Sequence, residues 1–155
     1  VPLTEKFVWG NKLDLGYAHS YGDDPYPFSQ NYYVGGSNSV RGYKAASIGK
    51  QFYDESQDDF VSTGGTMKIV ASTKMLFPLP GGMFKDQVRL ETFIDGGGVW
   101  EEDENIALDE MRFSAGLSVL WVSPFGPINV SFAKALNDEA QDETESFQFG
   151  MGTNF

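Results

Sequence analysis

The chain has 155 residues, with 22 acidic against 11 basic side chains, a formal net charge of −11 and no cysteine. That length suits one domain of ordinary size. The missing thiols exclude a disulfide scaffold, a Cys-ligated zinc site, an iron–sulfur cluster and thiol catalysis. The acidity speaks against nucleic acid as a partner, because neutralising phosphates needs clustered Lys and Arg.

Val1–Lys6 has no signal-peptide pattern, and no run nears the ~20 apolar residues of a spanning helix. Period-two alternation, the mark of a strand, recurs instead. Trp9–Tyr21 sets Leu13, Leu15 and Tyr17 against Lys12, Asp14, Gly16, Ala18 and Ser20. A long segment, Gly22–Gly65, follows. Thr66–Phe77 opposes Met67, Ile69, Ala71, Thr73, Met75 and Phe77 to Thr66, Lys68, Val70, Ser72, Lys74 and Leu76. After the Pro/Gly turn Pro78–Asp86, Gln87–Asp95 sets Val88, Leu90, Thr92 and Ile94 against Gln87, Arg89, Glu91, Phe93 and Asp95. An acidic loop, Glu101–Glu110, leads to Arg112–Val122, where Phe113, Ala115, Leu117, Val119 and Trp121 oppose Arg112, Ser114, Gly116 and Ser118. A tight turn, Ser123–Gly126, precedes Pro127–Ala135, and the acidic loop Leu136–Glu145 precedes Phe147–Phe155. In that last strand Phe147, Phe149, Met151 and Phe155 oppose Gln148, Gly150, Gly152 and Asn154.

The polar faces are rich in Gly, Ser and Ala with isolated charges, which suits a wet interior with the apolar face turned to lipid. Short turns alternate with longer loops, and four groups on the long-loop side hold 17 of the 22 acids. Both features belong to an outer-membrane barrel. Trp9, Tyr17, Tyr21, Phe77, Trp100, Trp121 and Phe155 stand near strand ends, as interfacial girdles do. The expected fold is all-β, an antiparallel transmembrane β-barrel. Six strands cannot close such a barrel, so the chain is expected to be part of a larger one. A soluble acidic β-sandwich binding Ca²⁺ through Asp54–Asp59 or Glu101–Glu104 is a weaker reading, since those runs lack EF-hand spacing.

Within the long segment lies FSQNYYVGGSNSVRGY, Phe28–Tyr43. Arg41 is either a solvent-exposed residue of a Gly-rich loop or a guanidinium held in the lumen by a wall carboxylate. Asp95, inward-facing at the expected strand end and followed by Gly96, Gly97 and Gly98, is the candidate partner. YVGGSNSVRGY resembles the VRGF/Y loop motif of the BamA family of outer-membrane β-barrel assembly proteins. The similarity continues through STKMLFPLP, FIDGGGVW, MRFSAGLSVLWVSPFGP and the closing FQFGMGTNF.

That resemblance implies strands eleven to sixteen of a barrel of about sixteen strands, residues 1–155, with earlier strands and the POTRA domains outside the chain. It implies a bacterial outer-membrane location and a role in folding and inserting other barrels, without enzymatic bond-making, cofactor or metal. Partners would be unfolded outer-membrane clients, further subunits of the machinery reached through the N-terminal domains, and membrane lipid with lipopolysaccharide. Val40, Arg41, Gly42 and Tyr43 fall on the lumenal loop motif, and Asp95 on the FxDxG-like strand motif. Where the family's SxExxxP-like strand has Glu, this sequence has Lys74, which leaves Asp95 with Glu91 as acceptors for Arg41. Phe147–Phe155 becomes the lateral-gate strand, with Phe147, Phe149 and Phe155 on its apolar face. Gly150 and Gly152 there either permit kinking or relieve crowding in the lumen. A passive pore or two-partner secretion transporter of the same superfamily is the alternative. His19, the sole histidine, has no partner at informative spacing and is expected to be incidental.

Overall fold

The strand-forming alternation becomes a single antiparallel wall in the computed structural model, which describes residues 7–20, 27–56, 58–79, 87–102 and 104–151. Ten strands follow in chain order: β1 (Val8–Tyr17), β2 (Gly42–Tyr43), β3 (Gln51–Asp54), β4 (Asp59–Ser62), β5 (Met67–Pro78), β6 (Val88–Trp100), β7 (Arg112–Ser123), β8 (Gly126–Ala135), β9 (Thr144–Glu145) and β10 (Phe147–Met151). Six of them form one sheet in the order β1-β5-β6-β7-β8-β10, a meander with β1 and β10 at its edges. The other four make two small ladders in the loops, β2 with β9 and β3 with β4.

The sheet is inverted relative to a water-soluble protein. Leu13 and Leu15 on β1, Ile94 on β6, Leu117 on β7, Phe132 on β8 and Phe149 on β10 are all more than half exposed. The opposite face buries Ser114, Ser118, Ser131, Gln148, Glu91 and Asp95, the last two at 1% exposure. Water would penalise so much exposed apolar surface, whereas hydrocarbon favours it. This orientation, in a sheet with no second layer on its apolar face among the described residues, is the reverse of what a soluble sandwich needs. Asp54 instead accepts from the backbone N–H and hydroxyl of Ser56, and Glu104 pairs with Lys50.

The connections alternate as expected, with residues 18–66, 101–111 and 136–146 at one end of the sheet and Pro124–Phe125 at the other. The turn Pro78–Asp86 falls largely on residues 80–86, outside the described residues, as do Tyr21, Gly152 and Phe155.

Three expectations need correction. The third long strand does not stop at Asp95 but runs through Gly96, Gly97 and Gly98 to Trp100. Those glycines are sites of close packing: a Cβ on Gly96 would lie 2.6 Å from the Phe113 ring, and one on Gly97 2.8 Å from Val40. Trp100 is not an interfacial residue. It is buried, its ring lies against Gly98, and its indole N–H donates to Glu110 at 2.8 Å. The long segment is also more ordered than a plain loop, since it contains the β3–β4 hairpin and bridges at Tyr32–Gly65 and Val34–Ile48.

The main apolar cluster among the described residues lies on the wall's inner face. Val34, Val40, Tyr43 and Ile48 of the long segment pack with Val70 of β5 and Val99 of β6. The interior expected to be wet is therefore dry where the loop docks. Burying these side chains offsets part of the entropy of ordering the loop.

Candidate functional site

The site begins with a backbone requirement. Gly42 has φ +90, a left-handed conformation that disfavours any Cβ, and a Cβ there would stand 3.0 Å from that of Ala133 on β8. Glycine lets the loop lie directly on the wall and turns the preceding residue, Arg41, towards β6.

Arg41 is 7% exposed. Its Nε donates to Asp95 Oδ2 at 2.6 Å and its Nη2 to Oδ1 at 2.9 Å, the two-pronged geometry that makes Arg–carboxylate pairs strong. Its backbone N–H also reaches Asp95 Oδ2, at 3.2 Å. Nη1 donates to Glu91 Oε1 at 2.5 Å. The guanidinium lies over the Phe93 ring, 3.4 Å from its centroid, adding a cation–π contact. Ser72 of β5 donates to Asp95 Oδ1 at 2.6 Å and so holds the acceptor in place. Burial works against the charge of Arg41, but the hydrogen bonds and fields of Asp95 and Glu91 outweigh it and raise its pKa.

The strand register explains why these groups meet. Asp95 pairs with Ser72 on one side and Ser114 on the other. Glu91 pairs with Ser118, Ser118 with Ser131, and Ser131 with Gln148. The inner wall thus has rows of short hydroxyls beside two carboxylates, leaving room for a folded-in loop. Lys74 of β5 brings its Nζ to 3.4 Å from Glu91 Oε2. That is an ion-pair contact without hydrogen-bond geometry, and Glu91 Oε2 has no hydrogen-bond partner.

The loop motif also reaches the last strand. Gly42 and Tyr43 pair with Glu145 and Thr144 in the β2–β9 ladder. Gln148 of β10 donates through Nε2 to the Tyr43 carbonyl at 2.7 Å, and the Lys44 N–H donates to the Glu143 carbonyl at 2.8 Å. The Tyr43 phenol donates to the Phe113 carbonyl at 3.3 Å. Burial, then the field of Asp142, pushes its pKa up to about 12, so it stays a neutral donor.

The acidic loops above the site are cross-linked to one another. Arg112 pairs with Asp142 at 2.6 Å and Glu139 at 3.1 Å, and Lys44 with Glu143 at 2.8 Å. His19, expected to be incidental, contacts Glu102. A backbone bond from Glu101 and the neighbouring Lys50 lower the Glu104 pKa against the opposing effect of burial.

A family model described as the Omp85 superfamily domain matches residues 1–155. The chain belongs to the Omp85 superfamily. It is 36% identical to the outer membrane protein assembly factor BamA of Neisseria meningitidis serogroup B, over 99% of this chain and 22% of that protein. It is 26% identical to the sorting and assembly machinery component 50 homolog B of Xenopus laevis, over 99% of this chain and 35% of that one. Among solved structures, BamA from Haemophilus ducreyi lacking POTRA domains 1–3 superimposes with a TM-score of 0.83 at 32% identity. That match covers 96% of this chain and 32% of the other. The chain thus spans between about a fifth and a third of the length of these relatives. As an Omp85 barrel portion of the BamA type it lies in the bacterial outer membrane, and its six-stranded sheet is part of a barrel wall.

Within this Omp85 wall, Val40 and Tyr43 are fully buried loop residues, and Arg41 meets both Asp95 and Glu91. On β10, Phe147 and Phe149 face outward, more than half exposed. A Cβ on Gly150 would make ordinary contact with that of Asn129 at 4.0 Å. Sequence reasoning missed Phe93 as a cation–π floor, although its place between Glu91 and Asp95 on the inward face was the available signal. It also missed Gln148, whose inward position was visible but whose partner, a backbone carbonyl from residue 43, was not.

Proposed function

We propose that this chain is the wall, with its docked loop, of an insertase that templates folding and membrane entry of other outer-membrane β-barrels. The observation that carries this reading is the Arg41 loop tip clamped to Asp95 and Glu91 and tied on to β10. The names of the Neisseria and Xenopus relatives, an assembly factor and an assembly-machinery component, support the same direction. The physical need is plain, because each unpaired backbone group in hydrocarbon costs several kcal/mol. An edge strand offered as a template lets a client add strands by β-augmentation before it faces lipid alone. The reading assigns the protein no bond-making chemistry. Its partners are unfolded barrel clients, further assembly subunits and outer-membrane lipid, with lipopolysaccharide at the acidic rim.

In the intact barrel, Arg41→Ala and Asp95→Ala are each expected to slow assembly of client barrels into the outer membrane. Normal client assembly in both variants would overturn the role of the clamp. The passive-pore alternative is disfavoured by the dry cluster that seats the loop against the wall. Steady conductance of the reconstituted protein without any acceleration of barrel folding would restore it.

A further inference from the structure

We infer that Lys74 is a positioning residue that makes Glu91 usable as the second acceptor of the loop arginine, so that positions 74 and 91 act as one charge couple. The inference rests on the docked-loop geometry and is independent of what the barrel assembles. Arg41 alone faces two carboxylates that are each 1% exposed. One guanidinium balances one of those charges, and an uncompensated buried carboxylate is strongly destabilising. The only other cation that the described residues bring to either carboxylate is Lys74, at 3.4 Å from Glu91 Oε2. With it the cluster Arg41, Asp95, Glu91 and Lys74 is neutral. Lys74 pairs across the sheet with Phe93, the ring beneath the guanidinium, so its stem also flanks the cation–π floor. Lys12 of β1 lines the same recess but makes no ion pair with either carboxylate.

The guanidinium sits between β5 and β6: Nη1 is on Glu91, while Nη2 lies 3.4 Å from the Ser72 hydroxyl of β5. Losing the charge at 74 should loosen the loop, and removing the charge at 91 with it should tighten it again. A merely structural lysine would not behave in this way.

The chain has no cysteine, and Val40 is fully buried beside Arg41. A Val40→Cys reporter in the intact barrel, probed with a membrane-impermeant maleimide, therefore reads loop undocking directly. Lys74→Met should speed labelling on the order of tenfold, by loss of a charge-assisted contact. Lys74→Glu should speed it on the order of a hundredfold or more, by stranding buried charge. Lys74→Arg and Lys12→Met should leave it near the parent rate. The double change Lys74→Met with Glu91→Gln, which leaves Arg41 and Asp95 as a neutral pair, should return labelling most of the way to the parent rate. Heat-modifiable migration of each variant verifies that the barrel is folded. Parent-like labelling in Lys74→Glu, or a double variant as fast as Lys74→Met alone, would overturn the inference. Neither result would bear on client assembly, which is measured separately.

Discussion

The middle of the sheet and its β10 edge are built from the same alternation but held by different means. Among the described residues β5 and β6 pair over twelve residues, β6 and β7 over ten, and β10 with β8 over Phe147–Met151. To the β10 ladder the docked loop adds the β2–β9 bridge just before it and the bond from Gln148 to Tyr43. Interior strands keep their order through their own neighbours. The edge strand's order is conditional on a loop folded into the lumen, and so on one arginine that is distant in sequence.

The largest break in this comparison should come from Arg41→Ala, which leaves Asp95 and Glu91 buried with Lys74 as the sole counter-ion among the described residues. Loss of one partner from such a pair costs about 3–5 kcal/mol. Protease should then cut within Phe28–Tyr43 in the intact barrel, where the parent loop resists. Next comes a test of the wall's two faces. Leu117→Arg, on the outward face, should cost about 2–4 kcal/mol in lipid. Ser118→Ala, one residue along and facing inward, should cost about 1 kcal/mol. The urea midpoints of folded barrels in vesicles measure both. Gly42→Ala should follow at about 1–3 kcal/mol, from its left-handed backbone and its approach to Ala133. It should partly expose the loop to protease. Smallest, Gln148→Leu should cost about 1 kcal/mol and speed hydrogen exchange in Phe147–Met151 while leaving the Arg41 loop protected, separating the edge from the clamp.

Much of the wall was legible because its code is local. Period two places Leu117 outward and Ser118 inward whatever the neighbours do, and all six long strands follow from that pattern. Boundaries failed where glycine was read as punctuation. Gly96 and Gly97 continue β6 because Phe113 and Val40 occupy the space their side chains would need, and both contacts are distant in sequence. Trp100 was misplaced for a related reason, its partner being a loop carboxylate rather than a lipid interface. At the site, alternation put Asp95 and Glu91 on the inner face, but only the register set their distance from Arg41. Lys74 read only as the loss of an acceptor for Arg41, whereas in the fold it faces Glu91. The two-residue β2–β9 ladder had no signal at all, since nothing local distinguishes Thr144–Glu145 from the rest of an acidic loop.

Hydrogen exchange across β10 in the intact barrel in lipid, compared between the parent and Arg41→Ala, tests the conditional edge most directly. Amides of Phe147–Met151 should exchange faster in the variant, although Arg41 bonds to none of them, while the centre of the β5–β6 ladder keeps its protection. Unchanged exchange at Phe147–Met151, in a variant whose loop is demonstrably released, would contradict the coupling between the docked loop and the last strand.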